Sequence, residues 1–241
     1  MNISVKAVAG SFKQFVVQIY KDAMLIILLF APILCGLFFK FGIPFAQNLM
    51  EKYFGWEEIF APYYLLFDLL LASMTPLLYS FASAYLILGE IDDGISGYLS
   101  VTPLGKKGYL ISRLGIPSVI AFIVTMLVLP AFQLSGSSID IIIGMAVSSV
   151  FLSIIGALLT VSVADNRVEG MAVAKLSGLF FLGLPAPFFI KGNIQYLLIF
   201  LPSFWTAKFA MEKQILFLLP SLIMSFGWIS LLYRKFKKKI A

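Results

Sequence analysis

The chain has 241 residues, of which 61% are hydrophobic and 12% charged. That is enough apolar sequence for six membrane spans of about 20 residues each and excludes an ordinary soluble enzyme. With no histidine and a single cysteine, Cys35, the chain cannot build a histidine triad, a histidine or multi-cysteine metal site, or an intrachain disulfide.

The first 21 residues place Val5, Val8, Phe12, Phe15 and Ile19 at spacings of three and four, with Lys6 and Lys13 on another face. This pattern predicts an amphipathic helix lying along a membrane surface. Apolar windows then predict spans near 23–39, 62–89, 110–134, 139–163, 171–190 and 214–233. Cys35 sits among Phe30, Leu34 and Phe38 in the first span, as a packing residue.

Six crossings put both termini on one side. The net charge is +6, and of the 18 Lys and Arg residues only Lys40, Lys52, Lys191, Lys208 and Lys213 fall on the opposite face. The excess of basic residues therefore predicts cytoplasmic termini in a multi-pass protein of a bacterial-type cell membrane. The tail from Arg234 to Lys239 reads as an anchor on anionic lipid, not as a nucleic-acid site.

The predicted external loops, 40–61, 135–138 and 191–213, are too short for a receptor domain. The third holds an apolar run from Ile194 to Trp205 interrupted by Pro202, which predicts an external re-entrant segment. In span four, Gly144 with Ser148 and Gly156 with Thr160 form one row of small residues, and Ser149, Ser153 and Ala157 form the next. Such rows let helix backbones approach closely, so this span is expected inside the bundle.

Chemistry-bearing residues are few. Asp68 is the one acid inside a predicted span and away from its very end, about six residues from the outer boundary, where hydration at the interface is expected, with a substrate or proton contact as the alternative. The segment SVTPLGKK, Ser100 to Lys107, only superficially resembles a phosphate-binding loop, because its first Gly is Ser and its final Ser or Thr is Lys. Any ATP must then be bound by another subunit. Glu57 and Glu58 have no histidine beside which to act as a membrane protease, and no catalytic set emerges.

The link GEIDDGISGYLSVTPLGKKGYLISR, Gly89 to Arg113, mixes acids, glycines and bases. A short amphipathic helix over Ile95 to Val101, ended by Thr102 and Pro103, could dock on a soluble partner, with the acids Glu90, Asp92 and Asp93 and the bases Lys106, Lys107 and Arg113 fixing its orientation. An ordinary charged loop obeying the positive-inside rule remains the alternative reading.

An acid at the end of span two, then VTPLGKKGYLISR, together with DNRVEGMAVAK (Asp165 to Lys175), LPSFW (Leu201 to Trp205) and the N-terminal amphipathic helix, resembles the type 2 ATP-binding-cassette exporter permeases. The match covers essentially the whole chain and is nearest to small bacterial permeases labelled as drug or fluoroquinolone export subunits. The resemblance implies an all-α transmembrane domain of six helices that works with two cytoplasmic ABC ATPase subunits and a second six-span permease, identical or homologous. It implies no cofactor on this chain, with ATP and Mg on the partner ATPase.

Carried onto this sequence, the resemblance makes residues 90–109 the coupling segment, with Glu90, Asp92, Asp93, Leu99, Thr102, Pro103, Lys106 and Lys107 as coupling residues. Asn166, Arg167 and Glu169 become a second cytoplasmic contact. The run GISG, Gly94 to Gly97, departs from the common pattern. By the same analogy Tyr79, Ser83, Phe180 and Phe181 are expected to line a substrate path, with Asp68 as the residue an autonomous carrier or channel would use.

Overall fold

The computed structural model describes residues 5–56, 58–95, 102 and 104–239. Its regular elements are all helical among the described residues. Helix α1 (Val5–Lys21) turns Ser11, Phe15 and Ile19 inward and leaves Val5 and Tyr20 exposed. It is joined to α2 (Ala23–Leu37) by one residue, Asp22, whose backbone is extended and whose carboxylate accepts the amides of Met24 and Leu25 at 3.0 and 3.4 Å. That N-cap satisfies donors a new helix would otherwise leave unpaired.

Hydropathy predicts an end to the first span at residue 39 and a loop over 40–61. Instead α2 continues through a π-helical turn, Phe38–Gly42, into α3 (Ile43–Phe54), so the chain is helical from Ala23 to Phe54. Lys40 looked like a boundary because it is charged, but its ammonium donates to the Ala131 carbonyl at 2.7 Å. The helix stops at Gly55, whose left-handed φ of 67° caps it.

Helix α4 (Tyr64–Asp92) follows a short 3₁₀ turn, then come α5 (Gly105–Leu110), a π-helical turn (Ile111–Gly115), α6 (Ile116–Phe132) and α7 (Ile139–Val163). The most apolar stretch of α7 is 72% buried, against 17% for that of the Ala23–Phe54 helix, so α7 is the centre of the bundle. Its most extensive partner is α4. The small rows make this contact: Ser73 meets Ser149 at 3.2 Å and Ser80 donates to Ser153 at 3.0 Å. Interhelical hydrogen bonds of this kind contribute about 0.6 kcal/mol each in membranes. Gly144 sits directly under the Phe209 ring, where a Cβ would collide.

The predicted span over 171–190 is not one helix. Helix α8 (Arg167–Ser177) ends in a 3₁₀ turn, Gly178–Phe181, and only the single turn α9 (Ala186–Phe189) follows. Gly178 and Gly183 weaken the helix, and Pro185 and Pro187 remove two amide donors. Such a break is tolerated at membrane depth only where protein groups take up the freed backbone. The Ser203 hydroxyl does so, donating to the Phe180 carbonyl. Ser203 belongs to α10 (Pro202–Glu212), which packs on α7 and on the last helix, α11 (Leu218–Lys239). Thr206, Ser221 and the Pro202 carbonyl form a buried hydroxyl chain between these two helices.

By length and composition, five helices among the described residues can cross a membrane: Ala23–Phe54, Ala61–Asp92, Gly105–Phe132, Ile139–Val163 and Ile215–Lys239. The protein is thus a multi-pass, all-helical membrane protein.

Candidate functional site

The first turns of α1 and the last turns of α11 pack into the same core cluster, through Ala7 and Val8 and through Leu232 and Phe236. There α1, the last turn of α4, the start of α6 and the start of α8 converge on two acids and two arginines. Glu90, in the last turn of α4, and Arg113, in the π-helical turn before α6, are both almost fully buried. The guanidinium binds the carboxylate in a fork, Nη2 to Oε1 at 2.6 Å and Nε to Oε2 at 3.0 Å. The Tyr109 hydroxyl donates to Glu90 Oε2 at 2.8 Å.

The other side of Arg113 reaches α1, donating from Nη1 to the Ser11 carbonyl at 2.7 Å, and Ser11 also meets Ser112 at 3.0 Å. The Phe15 and Tyr109 rings lie 5.4 and 5.7 Å from the guanidinium carbon. Arginine suits this position because its planar fork bridges two directions at once. A buried pair with a partner on each guanidinium nitrogen and each carboxylate oxygen positions its helices, while loss of one partner leaves an uncompensated charge.

The second cluster joins α4 to α8. Asn166 caps α8 by accepting the Glu169 amide at 2.9 Å, and Glu169 returns bonds to the Asn166 side chain at 3.0 Å and to the Asp165 amide at 2.8 Å. This is a reciprocal capping arrangement. The Arg167 amide donates to Asp92 at 3.2 Å, and its guanidinium lies 5.1 Å from the Tyr85 ring. Gly89 makes room for it, since a Cβ there would strike the guanidinium. Lys239, at the end of α11, pairs with Asp165 at 3.1 Å and donates to the carbonyls of Val161 and Ala164.

The expected coupling residues therefore divide. Asp92, Asp93 and Lys107 are exposed, and Thr102 and Lys106 are half-buried. Asn166, Arg167 and Glu169 form the second cluster. Glu90 is turned inward, where its carboxylate ties the last turn of α4 to Arg113 and Tyr109. Leu99 and Pro103, with most of the short helix expected over Ile95 to Val101, lie outside the described residues. Sequence reasoning gave Arg113 only an orienting role and missed Ser11 and Tyr109. The one available signal was Tyr109 and Arg113 at helical spacing, opposite an acid at the end of the preceding span.

The residues expected along a substrate path lie in different surroundings. Tyr79 lines a cavity between α1, α2, α4 and α6. Ser83 is fully buried in α4, and its hydroxyl has no hydrogen-bond partner among the described residues. Phe180 packs edge-on against Trp228 at 5.0 Å, and Phe181 packs among the core residues on the α7 side. Asp68 is not hydrated at an interface as expected. It is buried, and its two carboxylate oxygens accept the amides of Leu134 and Ser135 at 2.8 Å each. These amides belong to the turn between α6 and α7, so Asp68 ties α4 to that turn.

The model of the family described as fluoroquinolones export permease protein Rv2686c-like matches residues 15–233. Two curated relatives, the fluoroquinolones export permease proteins Rv2686c and MT2760 of Mycobacterium tuberculosis strains ATCC 25618 / H37Rv and CDC 1551 / Oshkosh, are each 26% identical over 198 residues. Each match covers 78% of this chain and 75% of the relative. No solved structure matches.

Proposed function

Because the chain belongs to the Rv2686c-like fluoroquinolones export permease family, we propose that it is the membrane subunit of an ATP-driven exporter whose ATP and Mg are bound by separate cytoplasmic ABC ATPase subunits. In this reading the chain has no catalytic residue of its own. It pairs with a second permease, identical or homologous, in a bacterial-type cell membrane, with both termini cytoplasmic.

The observation that carries the reading is the convergence of α1, α4, α6 and α8 at the terminus-bearing end. A push on the link between α4 and α5 there is passed to three long helices through Glu90 and Arg113. The work is a rearrangement of packed helices, driven by a partner that binds one arrangement better than the other. Exposed Asp93 and Lys107 are the charges on this link that can meet the ATPase. The cargo is an amphipathic compound, drug-like, lipid-like or peptide, and the relatives' name favours the drug-like class. An autonomous carrier built on Asp68 has no support in the geometry, since both carboxylate oxygens already hold backbone amides.

Pull-down of the tagged protein from its native membranes in mild detergent tests the proposal. An ATPase of the ABC class in the eluate supports it, and a second permease there identifies a heterodimer. Elution alone, with ATP-independent solute flux after reconstitution, would overturn it.

A further inference from the structure

A cavity of about 490 Å³ lies between α1, α2, α4 and α6, within the size range of drug-sized ligand pockets. Not one of its 16 lining residues is charged, and the only polar side-chain groups among them are the Tyr20 and Tyr79 hydroxyls. Five of the 16 are aromatic, which makes the lining ring-rich. Phe12 and Phe15 stack with their centroids 5.9 Å apart.

The rim is open sideways. Tyr20, Phe30 and Leu127 on it are 75%, 61% and 67% exposed, and Phe30 and Leu127 stand on helices long enough to span a bilayer. Exposed apolar side chains on such helices face lipid. The opening therefore admits compounds dissolved in the leaflet on the α1 side. Tyr79 is half-buried and lines the cavity, and its hydroxyl makes no hydrogen bond among the described residues. A donor in a water-poor site favours a ligand with one acceptor to receive it.

We propose that this cavity is an intramembrane binding site for the uncharged, ring-bearing body of an amphiphile entering sideways from the leaflet, with the Tyr79 hydroxyl donating to a single acceptor on it. The proposal rests on the exporter reading and supplies its cargo class. It also joins the site to the buried ion pair, because Phe15 both lines the cavity and faces the Arg113 guanidinium. A ligand that displaces the Phe15 ring disturbs the contact holding α1 to α6.

The test uses the full chain in lipid nanodiscs, without any ATPase, and two photoprobes. Benzophenone carries two rings and one carbonyl acceptor, and 3-trifluoromethyl-3-phenyldiazirine carries one ring and no comparable acceptor. Adducts are mapped by mass spectrometry. Both probes should label α1 and α6 cavity peptides at least threefold more than the lipid-facing apolar peptide of α11 around Ile223 and Phe226.

Tyr79→Phe should lower benzophenone labelling at least threefold and leave diazirine labelling unchanged, and Val124→Trp should remove the enrichment of both. Labelling spread evenly over all lipid-facing peptides overturns the proposal. So does enrichment that appears only after a co-purifying phospholipid is stripped away, which would make the cavity a lipid site. Because no ATPase is present, enriched labelling alongside elution alone and ATP-independent flux would refute the exporter reading and keep the cavity. The reverse pair of results would do the opposite.

Discussion

The Ser203 hydroxyl donates a 2.5 Å hydrogen bond to the carbonyl of Phe180, in the 3₁₀ turn where the predicted fifth span breaks. Ser203→Ala leaves that buried carbonyl unpaired, at a cost of about 1–3 kcal/mol. The variant should unfold at lower temperature in detergent, and hydrogen exchange should rise first in residues 178–185. Unchanged exchange there would mean that another group supports the break.

Glu90 and Arg113 should respond differently to single and double replacement. Removing one partner leaves the other charge buried, so Glu90→Gln or Arg113→Met alone should cost about 3–5 kcal/mol. Glu90→Leu combined with Arg113→Met should recover much of that loss. A thermal-stability series in nanodiscs reads the difference, and a double variant worse than both singles would contradict the account.

Asp68→Asn replaces one of two carboxylate acceptors with an amide that cannot accept both backbone donors. Its effect should be structural, a loss of about 1–3 kcal/mol with greater hydrogen exchange at Leu134 and Ser135. Retained stability with altered solute flux would instead return Asp68 to a transport role.

In the centre of the bundle, deletion and insertion should differ in size. Ser153→Ala removes one interhelical hydrogen bond, worth about 0.6 kcal/mol. Gly144→Leu drives a branched side chain into the Phe209 ring and should cost about 1–3 kcal/mol or more. Thermal melts of the two variants check the order.

Surface charges on the proposed ATPase contact should separate binding from folding. Asp93→Ala with Lys107→Ala should leave the melting temperature within about 2 °C, since exposed substitutions are usually within ±0.5 kcal/mol. The yield of co-purified ATPase should fall severalfold. An unchanged yield would place the contact elsewhere on that end.

Much of the architecture was written in hydropathy. The period of α1 and the small-residue rows of α7 could be read directly, because both are patterns of side-chain type along one helix. Lys40 and the 171–190 segment could not, because their outcomes depend on backbone partners far away in sequence. Lys40 finds the Ala131 carbonyl, and the Phe180 carbonyl finds Ser203. The charges of the α4–α5 link were legible as charges. Which of them faced inward was not, since Glu90 and Asp92 differ only in where the last turn of α4 points them.

Helix α1 leaves the first span at the single extended residue Asp22, is tied to Arg113 at Ser11, and packs Ala7 and Val8 against the core beyond that contact. It is therefore a lever with its fulcrum at Asp22 and its load point at Ser11, about 16 Å away at 1.5 Å per residue. The arm continues to Val5, so a tilt about Asp22 that moves Ser11 by a given distance moves Val5 about 1.5 times as far. A small shift of Arg113 is thereby enlarged at the amino-terminal end of the helix.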